Sequence, residues 1–214
     1  MIKKWVNRVF KRKQQNEIFK VRIISQAVHG LDVKAVHSGA LRIVQTLQQA
    51  GHQAYVVGGA VRDLLLGFQP KDFDVATSAT PEQVQVLFRR SRIIGRSFRL
   101  AHVYAGADII EVSTFRGGAE GVTNETGRII HDNAFGSIDQ DAQRRDFTVN
   151  ALYYDTVKQE ILDYHGGFGD LAQNRMVLIG DAAVRYPEDP VRMLRAVRLA
   201  AKLGLTLDAS AYGD

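Results

Sequence analysis

The sequence predicts an α+β fold, and three features of its 214 residues carry that reading. At residues 55–76 a β-branched run, Tyr55-Val56-Val57, is followed by two glycines, a short helical stretch, a turn at Gly67 to Pro70 and a second extended run. Residues 92–94, 98–104 and 109–115 read as strands. Residues 37–50, 80–90 and 190–203 carry helical patterns.

In chain order, residues 1–36 read as an extension in which only Val21-Arg22-Ile23-Ile24 hints at order. From His37 to Ala50 the apolar positions Leu41, Val44, Leu47 and Ala50 recur at helical spacing, and Gly51 can stop that helix. Thr80-Pro81-Glu82-Gln83 is a helix start, with Thr80 as cap, Pro81 first and Gln83 reciprocating. The strand at 98–104 alternates Phe98, Leu100, His102 and Tyr104, and in the next Ile109, Glu111, Ser113 and Phe115 share a face. Residues 117–137, rich in Gly, Asn and Thr, read as a mobile loop. A helix near Asp139, a strand at 161–163 before His165-Gly166-Gly167, and a helical turn at Asp170-Leu171 follow. The last element runs from Pro190 to Leu203, capped by Asp189 and ended by Gly204, with Leu194, Val197 and Ala201 on its apolar face. No helical layer follows to cover that face, so the chain reads as part of something longer.

Composition narrows the class. Hydrophobic residues make up 45% and charged residues 24%, ordinary for a globular protein, and no apolar run approaches the ~20 residues of a membrane span. The chain has no cysteine, which excludes disulfides and thiolate metal sites and fits a cytoplasmic protein. The six histidines lack metal-ligand spacing and read as structural or surface positions. Residues 1–20 carry seven basic side chains against Glu17 alone, so the net charge of +5 is concentrated there. With Trp5 and Phe10, that arm suits contact with a phosphate backbone, or else a solvated tail.

The chemistry gathers at 58–74. In an extended strand Asp72 and Asp74 point to one side while Phe73 and Val75 face the core. Two adjacent carboxylates repel and call for a compensating cation, and Mg²⁺ prefers oxygen ligands and substrate phosphates. Gly58 and Gly59 allow a phosphate chain close to the backbone, and the helix that follows offers free N–H groups. Arg62, four residues past Gly58, suits a phosphate contact, with a salt bridge to Asp63 or Glu82 as the alternative. A dinucleotide-binding dehydrogenase is excluded, since no GxGxxG opens a βαβ unit.

The combination GGAVRD, eight residues, then DFD resembles the head of the nucleotidyltransferase superfamily that includes DNA polymerase β. Within it, the branch of tRNA CCA-adding enzymes and bacterial poly(A) polymerases carries this pattern. The resemblance runs from about residue 37 to 207 and implies a head with a short mixed sheet flanked by helices, followed by an all-helical neck. Residues 1–36 are then a basic extension, 37–180 the catalytic head, and 181–214 the start of the neck.

That family likeness implies a two-metal site at Asp72 and Asp74 holding Mg²⁺, with a third acid from elsewhere. Asp146, in Arg144-Arg145-Asp146-Phe147 with Asn150 completing an RRDxxxN motif, is the preferred third acid, and Glu111 the reserve. The same motif implies that Arg145 and Asn150 touch the nucleotide. Glu188-Asp189-Pro190-Val191-Arg192-Met193-Leu194-Arg195 resembles the EDxxRxxR motif that reads the incoming base, which implies base recognition by Asp189 and Arg192, assisted by Arg195. The intervening stretches FRLAHVYAGADIIEVSTFRG and QDAQRRDFTVNALYY are more similar to the poly(A) polymerases of proteobacteria than to the CCA-adding enzymes. The implied reaction is addition of AMP from ATP to RNA 3′ ends, with RNA and ATP as partners and no membrane. CCA addition to tRNA is the alternative, and an idle nucleotide- or RNA-binding module a more distant one.

Overall fold

The structure, a computed structural model, describes residues 21–96, 98–117, 122–123, 129–131 and 134–212. The basic arm at 1–20 lies outside the described residues, as does part of the loop expected at 117–137. In the described part of that loop Val122–Thr123 pairs antiparallel with Ile129–His131.

Eight strands form one sheet. They are β1 (Arg22–Ser25), β2 (Ala54–Val57), β3 (Asp74–Thr77), β4 (Ser91–Ile94), β5 (Leu100–Ala105), β6 (Asp108–Thr114), β7 (Leu152–Asp155) and β8 (Glu160–Asp163). Their order across the sheet is β1-β8-β7-β2-β3-β6-β5-β4. Every neighbouring pair is antiparallel except β3 with β6, which is parallel, so the sheet is mixed as expected but larger than the short sheet anticipated. The helices are α1 (Gln26–His29), α2 (Ser38–Gln49), α3 (Gly59–Leu65), α4 (Pro81–Leu87), α5 (Ile138–Arg144), α6 (Gly167–Ala172), α7 (Ala182–Glu188) and α8 (Val191–Leu203).

Residues 22–25, expected within an extension, are part of the sheet itself. Ile24 is buried, and β1 runs antiparallel to β8 at one edge. The single alternation in Val21-Arg22-Ile23-Ile24 was too short a signal, and the partner that fixes it lies at 160–163.

The middle of the sheet is covered on both faces, and β2 shows why its sequence has no polar residue: all four positions are buried. Ala54 and Val56 join the larger core with Ile43, Val44 and Leu47 of α2 and Val61 and Leu64 of α3. Tyr55 and Val57 join a smaller cluster on the other face with Phe115, Tyr153, and Ile138 and Ala142 of α5. The capping box expected at Thr80 and Gln83 is present at the start of α4.

The terminal helix turns the other way from expectation. Its buried positions are Arg192, Ala196 and Leu199, whereas Leu194 is 73% and Val197 68% exposed. Periodicity alone favoured the more apolar stripe, but the arginine-bearing stripe is the one that meets the head. Residues beyond α8 are tied back by a parallel pairing of Thr206–Leu207 with Arg175–Met176, and Tyr186 donates its hydroxyl to Ala211 O.

These contacts separate two leucines. Leu47→Ala is expected to lower unfolding stability by about 2–5 kcal/mol in urea titrations, and Leu194→Ala to leave it within roughly 0.5 kcal/mol. Equal losses would show that α8 packs through Leu194.

Candidate active site

Sheet register builds the acidic part of the site. Val57, the last residue of β2, pairs with Asp74, the first of β3, so the glycine turn after β2 leaves the sheet beside that aspartate. On the other side, parallel pairing sets Asp74 opposite Glu111. Phe73 and Val75 are buried while Asp72 and Asp74 reach solvent. Asp72 lies just before the strand rather than within it. Glu111, the reserve acid in the sequence, stands opposite Asp74 in the sheet.

Although solvent reaches Asp74, the protein packed around its carboxylate pushes its pKa up to about 6; Glu111 and, more weakly, Asp72 add to the rise, and Arg145 opposes it. The row continues outward: His102 pairs with Glu111 on the neighbouring strand, with Nε2 3.4 Å from Glu111 Oε1. On the Asp72 side a cavity of about 550 Å³ opens, lined by Asp72, Phe73, Lys71, Lys34, His37 and Asp108 among others.

The glycine turn is conformationally demanding. Gly58 has φ 73° and ψ −133°, a region side-chain-bearing residues avoid. Its N–H donates to Leu152 O at 3.3 Å, and a Cβ there would lie 3.4 Å from Arg145 Nη1. Gly59 opens α3, and a Cβ on it would lie 3.4 Å from Arg62 Nη2. Both glycines therefore leave room over which guanidinium groups lie.

Arg145 is held by Tyr153, Asp141 and the Asn150 carbonyl, to which Nη1 donates at 3.5 Å. Nε donates to Tyr153 Oη at 2.9 Å, Nη2 to Asp141 Oδ2 at 3.1 Å, and the guanidinium lies 5.0 Å over the Tyr153 ring. Tyr153 in turn donates to Asp141 Oδ2 at 2.6 Å, and Asp141 Oδ1 accepts the Arg116 N–H at 3.1 Å. Burial alone would lower the Arg145 pKa, but Tyr153 and Asp141 hold it above its ordinary value. Burial, with Asp141, likewise raises the Tyr153 hydroxyl, so it stays a neutral donor.

Arg62 is engaged by neighbouring side chains. It is only 5% exposed; Nε and Nη2 donate to Asp63 Oδ1, and Nη1 donates to Asn150 Oδ1. The Asp63 alternative holds, whereas Glu82 pairs with Arg99 instead. Asn150 passes the connection on, donating Nδ2 to Asp146 Oδ1 at 3.0 Å, and the same oxygen accepts the Phe147 N–H at 2.8 Å. Asp146 Oδ2 lies 2.7 Å from Arg195 Nη2, an ion pair whose angle falls short of a hydrogen bond. Asp146 is thus joined to the terminal helix through Arg195 and to Arg62 through Asn150.

Arg192 is buried as well. Nη1 donates to Arg185 O at 2.6 Å and to Glu188 Oε2 at 3.0 Å, so its acid partner is Glu188 rather than Asp189. Asp189 Oδ1 accepts the Val191 N–H at 3.2 Å, but the N-cap position of α8 is Pro190 rather than the expected Asp189. Arg195 remains half exposed beside Asp146.

Some residues at the site escaped the sequence reading. Asp141 anchors Arg145, and Arg185 donates Nη2 to both Arg144 O and Arg145 O at 2.7 Å, fastening α7 to the motif. His102 was read as structural; its place on the alternating face of the 98–104 strand was the available signal, but only the β5–β6 register connects it to Glu111.

Among the described residues no three acids or histidines close around an ion by themselves. Asp72, Asp74 and Glu111 still form an open, all-oxygen donor set with a like-charge burden on Asp74. That chemistry suits a hard divalent cation.

Comparison with known proteins agrees with the geometry. Residues 54–177 match the family model of the poly A polymerase head domain. Poly(A) polymerase I of Escherichia coli O157:H7 is 53% identical over 87% of this chain and 42% of its own length. The CCA-adding enzyme of Bacillus pumilus is 42% identical over 79% of this chain and 42% of its own. Among solved structures, the Bacillus stearothermophilus CCA-adding enzyme in complex with CTP superposes with a TM-score of 0.69 at 38% identity, covering 81% of this chain and 41% of that one. The chain therefore spans less than half the length of these relatives.

The Asp141 contacts carry a stability consequence. Asp141→Asn is expected to cost about 1–3 kcal/mol in chemical unfolding, because it weakens the charge-assisted bond to Arg145. Asp139→Asn, on the exposed side of α5, should change stability by less than about 0.5 kcal/mol. Equal effects would remove Asp141 as the anchor of Arg145.

Proposed function

The chain belongs to the poly A polymerase head-domain family, and from that membership we propose that it is the catalytic head of a nucleotidyltransferase that adds AMP from ATP to RNA 3′ ends. The observation that carries the reading is the Asp72, Asp74 and Glu111 group beside the Gly58–Gly59 turn. The greater identity to poly(A) polymerase I than to CCA-adding enzymes favours ATP alone as the donor.

In the proposed reaction the RNA 3′-oxygen forms a bond to the α-phosphorus of ATP. The bond from that phosphorus to the bridging oxygen of the β-phosphate breaks, and pyrophosphate leaves. Mg²⁺, held by Asp72 and Asp74 with Glu111, would supply charge neutralisation and make the attacking hydroxyl more acidic. The chain's own residues bind and orient. Gly58 and Gly59 admit the triphosphate to the backbone, and the fixed, permanently charged Arg145 faces it. Asp146, Asn150 and Arg195 form the nucleotide side of the cleft, Asp146 acting as an orienting acid. Arg62 is a positioning residue that holds Asn150, and Arg192 with Glu188 sets the pitch of the helix bearing Arg195. Such catalysis rests on positioning and electrostatics, without covalent chemistry from the protein. With ATP and RNA as substrates, the reaction belongs to RNA 3′-end processing in the cytoplasm.

CCA addition is the second reading, favoured by the structural likeness to the CTP-bound enzyme. Offering each labelled nucleotide separately to an A-rich primer and to tRNA lacking its terminal CCA decides between them. Ladders with ATP alone on the A-rich primer support polyadenylation. Incorporation limited to C, C and A on tRNA would replace it.

Asp72→Ala and Asp74→Ala are expected to reduce AMP incorporation at least ~10³-fold while ATP binding persists, since each removes charge that acts on the transferring phosphoryl group. Glu111→Gln should lower kcat with little change in KM for ATP, whereas Asp146→Asn should raise KM for ATP. The opposite split in steady-state kinetics would make Asp146 the third acid of the metal site.

A further inference from the structure

Between Glu82 and Asp108 the sequence contains no acidic residue, yet it carries Arg89, Arg90, Arg92, Arg96 and Arg99. Arg89 and Arg90 lie in the bend between α4 and β4, Arg92 in β4, and Arg96 and Arg99 in its turn into β5, at an edge of the sheet among the described residues. Outside residues 1–20 the chain is close to neutral, so this edge is a local concentration of positive charge rather than part of a general excess. Arg89, Arg90, Arg92 and Arg96 are exposed, and Arg99 pairs with Glu82.

Register connects the edge to the carboxylates. Arg92 pairs with His102, His102 with Glu111, and Glu111 with Asp74, so one cross-strand row runs from the basic edge to the acidic centre. Three strand intervals separate its ends, a distance of about 14 Å. His102 stands at the change of sign. Phe98, 39% exposed in the turn, carries Arg116 over its ring at 5.0 Å and adds an aromatic face to the cationic edge. Arginines interleaved with an accessible aromatic ring suit a single strand, whose phosphates meet the cations and whose bases stack.

We propose that the arginine-rich edge formed by β4 and its turn holds the phosphates of single-stranded RNA just upstream of the 3′ end presented to Asp72 and Asp74. This deepens the proposed function and rests on it. The row gives the primer a direction, with its 3′ end at the acids and its upstream backbone at the edge.

The test uses the chain itself and a short labelled oligoadenylate, with dissociation constants from fluorescence anisotropy over a series of KCl concentrations. In the triple variant Arg89→Gln, Arg90→Gln, Arg92→Gln, affinity at low salt should fall at least about tenfold, and the salt slope by ~2, near 0.7 per lost phosphate contact. ATP binding should be unchanged. A charge-matched variant, Arg42→Gln, Lys158→Gln, Lys202→Gln, removes exposed cations elsewhere and should keep the native slope. Equal losses in both variants, no loss in the first, or failure of the native chain to bind the oligonucleotide at low salt would overturn the proposal. Binding needs no turnover, so absence of AMP incorporation with these slopes intact would count against the proposed function alone.

Discussion

The parallel pairing of β3 with β6 is the constraint on which the site depends. In a sheet, register decides which side chains stand opposite one another, and here it sets Asp74 against Glu111 although like charges in facing positions repel. The opposite face supplies what holds that register: Val75 and Val112, also paired, are buried in the larger core. A one-residue slip would carry both valines into solvent and both acids inward. Hydrophobic burial on one side of the sheet thus sustains electrostatic repulsion on the other, and that repulsion is what a divalent cation would relieve.

A second dependence joins the motifs. Pieces far apart in sequence, at 58–63, 144–150 and 188–195, meet through Asp63, Arg62, Asn150, Asp146 and Arg195. Removing Asn150 or Arg62 from this chain would leave a buried charge or amide without its partner. The arrangement joins the glycine turn, the 144–150 segment and the terminal helix. Within it Arg62 and Arg192 are buried, whereas Arg195 is half exposed.

Much of this was legible in the sequence, because the informative signals are local. The Thr80 capping box, the β-branched strand before Gly58 and the alternation of Asp72 and Asp74 with Phe73 and Val75 depend on neighbours within a few residues. What was not legible depends on distant partners. Ile24 in β1 has its register set by Ile161. The face of α8 was misread because apolar content suggested Leu194 and Val197, while that helix meets Asp146 through Arg195 and packs on α7 through Arg192. The contact of Arg62 with Asn150, 88 residues away, had no local signal either.

That distance has a consequence for synthesis. β1 pairs with β8, and next to it His29 Nε2 meets Gln159 O, 130 residues on. During translation the first strand emerges long before its partner, and the intervening strands β2 to β7 are completed while its hydrogen-bonding edge is still unpaired. Such non-local closure slows folding, and a waiting strand is the segment most open to pairing with the wrong chain. Two exposed polar positions, Arg22 and Ser25, flank Ile23 and Ile24 there and keep the waiting segment from being uniformly apolar. The sheet is therefore sealed from its margin last, after the active-site strands have already found one another.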